Sequence, residues 1–152
     1  MMVGADGQRL VLLITSRETR RWVLPKGWPK PGVVPHRQAA REAFEEAGVT
    51  GKIGRTPIGR YRYVKLLRNG STIPCRVDVF PLAVDQIHDD WPERGQRDFV
   101  WFTLGEAAIR VEEAELTDLL LEIAAGSYGH VTPPLHRLDR AAWLERGRRL
   151  AG

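Results

Sequence analysis

Leu10–Ile14 are five apolar residues in succession, and Arg9–Thr15 (RLVLLIT) reads as a buried strand. Ser16–Arg20 is a polar turn, and Arg21–Leu24 a short second strand. Lys26–Pro35 holds Pro29, Pro31, Pro35, Gly27 and Gly32 and is a loop. His36–Ala47 then places Ala39, Ala40, Ala43, Phe44 and Ala47 at helical spacing. Pro35 is tolerated in a first helical turn, and Gly48 is a natural stop. Arg55–Leu67 and Thr72–Val84 have β character and flank Arg68-Asn69-Gly70-Ser71, whose Asn-Gly is a hairpin signal. Asp85–Gln96 is an acidic, irregular loop and Phe99–Thr103 another strand. Leu104–Arg110 and Glu113–Ala125 are expected helices, the second with Leu116, Leu119, Leu120 and Ile123 on its core face. After a break at Gly126–Pro134, Leu138–Leu150 has the pattern of a basic amphipathic helix. The irregular alternation predicts an α+β fold, a mixed sheet with helices on its faces.

The length of 152 residues suits one domain, and 43% hydrophobic content is enough for a core. A single cysteine, Cys75, excludes an intramolecular disulfide framework and a multi-cysteine zinc site. No run approaches the roughly 18 apolar residues of a membrane span, and MMVGADGQRL lacks a signal-peptide pattern, so a cytoplasmic protein is expected. Charge is unevenly spread. Residues 1–84 carry 15 basic against 6 acidic side chains, whereas residues 85–125 carry 3 against 11. Between Ala47 and Val77 stand seven basic residues and no acidic one. Such a block attracts a polyanion, or else serves as a solvated strand surface that avoids edge pairing. No nucleic-acid-binding signature accompanies it, and the acidic stretch opposes duplex binding, so nucleic acid is not an expected partner.

Glu42, Glu45 and Glu46 fall at i, i+3 and i+4 of the expected helix, on one face opposite the alanine stripe. They lie in its last turns, where mutual repulsion and the helix dipole together cost about 1 kcal/mol. A hard divalent cation compensates such a face. Local pairing with Arg37 and Arg41 is the other reading of the same residues.

The surroundings of that helix resemble the Nudix hydrolases, whose box is written G-x5-E-x7-R-E-U-x-E-E-x-G-U with U a bulky aliphatic residue. Gly27 fits the first glycine, and Arg41-Glu42-Ala43-Phe44-Glu45-Glu46-Ala47-Gly48-Val49 fits the second half at the family's distance. Val33 stands where the box has its first glutamate. Its place before Val34-Pro35 suggests a side chain packed under the helix entrance. Beyond the box, Ser16-Arg17, Arg21–Gly27, Arg76, Asp90-Trp91 and Trp101-Phe102 are similar to the branch that hydrolyses diphosphoinositol polyphosphates and diadenosine polyphosphates.

This resemblance implies a Nudix-type α/β/α sandwich over residues 1–125, with the family's first strand shortened or missing before Arg9. Residues 126–152 are then a C-terminal extension, a helix docked on the domain. It implies a pyrophosphohydrolase that uses Mg²⁺ or Mn²⁺. The metal ligands would be Glu42, Glu45, Glu46 and the Gly27 carbonyl, with Glu42 or Glu46 serving in catalysis and Arg41 orienting the glutamates. Ser16, Arg17 and Arg76 match substrate-phosphate positions of the branch. Lys26, Arg62 and Arg97 join them on charge and placement, and Glu93 is a candidate additional base from a later loop. Strand alternation puts Arg76 with Asp78 and Phe80, on the face expected to meet the pocket, and Cys75, Val77 and Val79 on the other. Three functions stay open. One is hydrolysis of a highly phosphorylated small molecule. The second is hydrolysis of another nucleoside diphosphate derivative, such as a nucleotide sugar, NADH, a damaged nucleotide or capped RNA. The third is a weakened binding or sensor module.

Overall fold

A computed structural model describes residues 2–3 and 8–126; the helix expected over Leu138–Leu150 lies outside them. The strands are β1 (Met2–Val3), β2 (Arg9–Thr15), β3 (Trp22–Val23), β4 (Val49–Ile53), β5 (Gly59–Leu66), β6 (Thr72–Val79), β7 (Leu82–Ile87) and β8 (Phe99–Thr103). The helices are α1 (Pro35–Ala47), α2 (Leu104–Ala108) and α3 (Ala114–Ala124).

The apolar run of β2 occupies the centre. Its Leu10 pairs with Met2 of β1 on one edge and Thr103 of β8 on the other, and Ile14 likewise lies between Val23 and Phe99. Successive side chains of a strand point to opposite faces. Leu10, Leu12 and Ile14 therefore pack with Ala43 and Ala47 of α1, while Val11 and Leu13 pack with Leu116, Leu119 and Leu120 of α3. Leu13 and Ile14 are fully buried; each contributes about 1.5–3 kcal/mol. This is the expected sandwich, helix on either face of a sheet. The pairs among the described residues are all antiparallel, however, and they form three separate sheets: β1, β2, β3 and β8; β4 with β7; β5 with β6.

Two further boundaries differ from expectation. The β character of Thr72–Val84 is broken at Phe80-Pro81, because a proline cannot donate to a ladder. The chain resumes as β7, which runs to Ile87 into the stretch expected as loop and pairs with β4. α1 begins with Pro35 at its first turn and has no side-chain cap. It ends at Gly48 (φ 65°), whose N–H reaches Phe44 O at 2.9 Å. A β-carbon on Gly48 would lie 2.5 Å from the Trp91 ring, so this end of the helix admits only glycine. Trp91, buried at that point, anchors the segment that follows it.

Candidate active site

Four segments converge on the acidic face of α1: the end of β2, the Pro25–Pro35 loop, the segment after Trp91, and one face of the β5–β6 hairpin. They enclose a cleft of about 940 Å³ lined by Ser16, Arg17, Lys26, Gly27, Glu42, Glu45, Glu46, Glu93 and Arg97, among others.

Glu46 is the best-buried carboxylate of the three. Its Oε2 accepts the Lys26 backbone N–H at 2.9 Å, and its Oε1 accepts from Arg97 Nη2. Burial pushes its carboxyl above the usual range, and the Arg97 charge opposes that shift. Arg97, with 8% of its side chain exposed, also donates from Nε to Glu93 Oε2 at 2.7 Å and from Nη1 to the Thr15 carbonyl at 3.1 Å. Glu93 is held in turn by its own N–H on the Glu45 carbonyl at 3.0 Å, and its Oε1 lies 3.6 Å from Arg17 Nη1. One guanidinium thus joins α1, β2 and the loop after Trp91. Arg97 lines the cleft as a candidate substrate residue, and its Nε, Nη1 and Nη2 each donate to protein, tying it to Glu93, Thr15 and Glu46. Glu93 lines the same cleft.

Glu42 accepts from Gln38 Nε2, one helical turn earlier. It lies against Gly27 so closely that a β-carbon there would be 2.1 Å from Glu42 Cδ. The box glycine is therefore the space that the Glu42 carboxylate fills. Replacing Gly27 by alanine forces Glu42 out of place, and we expect activity to fall by at least about tenfold with little change in thermal midpoint, since the loop is exposed. A loss of stability without loss of activity would refute this.

Glu45 is drawn the other way, to Arg41 Nε at 2.5 Å. That pair holds its carboxyl below the usual range. Three carboxylates and a main-chain carbonyl make an all-oxygen donor set that fits a hard divalent cation. Among the described residues no three acidic, histidine or cysteine side chains stand converged on one point; Glu45 is paired with Arg41 and Glu46 with Arg97.

The β5–β6 hairpin corrects two expectations. Tyr63 lies under Lys26 Nζ, 4.9 Å from ring centroid to cation, and Lys65 Nζ lies 5.0 Å from the Trp28 ring, so the odd-numbered face of β5 meets the box loop. Paired residues share a face, and the partners are Tyr63–Cys75, Tyr61–Val77 and Arg62–Arg76. Cys75 and Val77 therefore lie on the cleft side. Arg76 reaches the cleft rim from the opposite, exposed face. Arg62 is not a cleft residue: its Nε donates to Glu115 Oε1 at 2.7 Å, and its backbone N–H to Glu115 Oε2 at 2.9 Å. The sequence could not set this phase, since either face of an alternating strand can turn inward. Val33 is 37% exposed and lines the cleft rather than packing beneath the helix.

Gln38 and Thr15 also support the site, though their residue types alone do not mark them. Gln38 is buried and steers Glu42; its position four residues before a box glutamate was the available signal. Thr15 contributes only a carbonyl to Arg97, which side-chain chemistry cannot reveal.

A family model for the NUDIX domain matches residues 1–120. The chain belongs to the Nudix family. Diphosphoinositol polyphosphate phosphohydrolase 3-beta of Bos taurus is 36% identical over 104 residues, 67% of this chain and 58% of the relative. Nudix hydrolase 12, mitochondrial, of Arabidopsis thaliana is 34% identical over 103 residues, 64% of this chain and 49% of the relative. This Nudix chain thus spans about half the length of the curated relatives it matches. The crystal structure of the C. elegans Ap4A hydrolase superposes with a TM-score of 0.55 at 22% identity, over 82% of this chain and 98% of that one, a likeness of fold. No helix among the described residues is long and apolar enough to cross a membrane.

Proposed function

We propose that this Nudix domain hydrolyses a phosphoanhydride bond in a highly phosphorylated small molecule, a diphosphoinositol polyphosphate or a diadenosine polyphosphate, with Mg²⁺ or Mn²⁺. The observation that carries the reading is the acidic face of α1 set against Gly27, with Glu46 and Glu93 fixed beside it by one buried arginine. Crowded, partly buried carboxylates are costly; Arg41 and Arg97 offset part of that cost, and a bound cation would offset more.

Glu42, Glu45, Glu46 and the Gly27 carbonyl would hold the metal, which when bound neutralises phosphate oxygens and lowers the pKa of water. Arg41 orients Glu45. Lys26, Arg17, Ser16 and Arg76 also line the cleft and would take the phosphates. Glu93, held at the end of α1, is available to accept a proton from the attacking water. The names of the Bos taurus relative and of the C. elegans neighbour favour polyphosphorylated substrates.

Phosphorus NMR of the purified protein with a panel of diphosphoinositol polyphosphate, diadenosine polyphosphate, nucleotide sugar and NADH tests the reading. We expect turnover of one of the first two, abolished by EDTA and restored by Mg²⁺ or Mn²⁺. Preference for a nucleotide sugar or NADH would overturn the substrate class. A weakened binding module is the second reading, favoured by Val33 and by the arginines on Glu45 and Glu46; metal-supplemented protein that turns over nothing would select it.

A further inference from the structure

We propose that Trp28 is a stacking surface for a nucleobase, so that the preferred polyphosphate carries a nucleotide end rather than only an inositol ring. This rests on the phosphoanhydride-hydrolase reading above and narrows it. Trp28 follows the box glycine directly, lines the cleft and is 55% exposed. An indole left this open keeps a large apolar face in water, and single exposed hydrophobics need no explanation of their own. Here, however, three features converge on the ring.

The first is rigidity. Pro25, Pro29 and Pro31 surround Trp28, and each fixes a backbone angle of the loop. A stiff aromatic loses little entropy when a ligand stacks on it. The second is the cation. Lys65 Nζ lies 5.0 Å from the ring centroid, which covers part of the indole and orients it while more than half of the residue stays open. The third is what lies next along the cleft. Lys65 and Tyr63 share a face of β5, roughly 7 Å apart. Tyr63 carries the second lysine, Lys26, 4.9 Å from its ring, and the N–H of Lys26 itself reaches Glu46. Going outward from Glu46 the cleft therefore presents a lysine, a second lysine and an open indole.

That order matches a polyanion ending in a flat apolar group. Phosphates neutralise the two ammonium groups, and a purine lies on the indole. An inositol ring is saturated and crowded with phosphates, so it meets an indole only through C–H edges and gains less from Trp28 than a flat purine does.

The test compares wild type, Trp28→Ala and Trp28→Phe on diadenosine tetraphosphate and on a diphosphoinositol polyphosphate, with saturation-transfer NMR of diadenosine tetraphosphate alongside. We expect Trp28→Ala to raise KM for the dinucleotide roughly 5- to 150-fold, with a much smaller change in kcat and in KM for the base-free substrate. Phenylalanine should restore most of the loss, and transfer to the adenine protons should be present in wild type and lost in Trp28→Ala. Equal damage to both substrates, or adenine signals indifferent to Trp28, would overturn the inference while leaving hydrolase activity intact. Adenine transfer that depends on Trp28 in a protein that turns over neither substrate would keep the stacking site and remove the enzymatic reading beneath it.

Discussion

Replacing Glu46 by glutamine should leave a folded protein whose hydrolytic rate is lower by about 100-fold or more. The substitution keeps the volume of the side chain and one carbonyl oxygen, so the contact from the Lys26 N–H can persist. The folded state already disfavours charge at this position, since burial is the main cause of the raised Glu46 carboxyl. The amide NH2 then faces Arg97 Nη2, whose sister nitrogens keep their bonds to Glu93 and the Thr15 carbonyl, so some stability is lost while the fold is retained. What disappears is the negative charge that a cation or a developing proton needs. Rate measurements at saturating metal, with circular dichroism to verify the fold, check this. A folded Glu46→Gln protein with near-normal turnover would show that Glu46 is structural and that the chemistry lies elsewhere on the helix.

Replacing Arg97 by methionine should destabilise the domain by about 3–5 kcal/mol, since it strands buried carboxylates without a counter-charge. Side-chain exposure is 8% for Arg97, 10% for Glu46 and 22% for Glu93, so water compensates little. At roughly 2–4 °C per kcal/mol for a domain of this size, thermal unfolding reads the loss directly. The triple variant Arg97→Met, Glu46→Gln, Glu93→Gln should recover much of the stability and none of the activity. If the single variant melts like wild type, the Arg97 bridge carries no net free energy.

The elements legible in the sequence were those whose pattern is strong locally. β2 is apolar without interruption, and α1 has alanines at helical spacing between a proline start and a glycine stop. β4 was not legible: VTGKI contains a glycine and a lysine and is ordered by pairing with β7, a contact made far along the chain. The same distance effect governs the site. Glu42, Glu45 and Glu46 can be placed on one face from spacing alone. The roles of Arg97 and Arg62 depend on which carboxylate each meets, and Glu46 and Glu115 lie 51 and 53 residues away from them. Charge and position along the chain mark both arginines as candidates for phosphate; only the tertiary fold shows that both are already paired with protein.

The Arg97 bridge also bears on how the domain comes apart. Its partners belong to β2, α1 and the segment after Trp91, which single backbone bonds also join, Glu93 N–H to the Glu45 carbonyl and Thr15 N–H to the Asp98 carbonyl. Release of any one of the three exposes the charge shared by the other two, so the acidic half of the cleft should open as one cooperative unit rather than fray loop by loop. The amide of Lys26, bonded to a carboxylate instead of a neighbouring strand, is the natural sentinel of that event. Its hydrogen exchange would report the integrity of the whole acidic wall from a single position on the opposite loop.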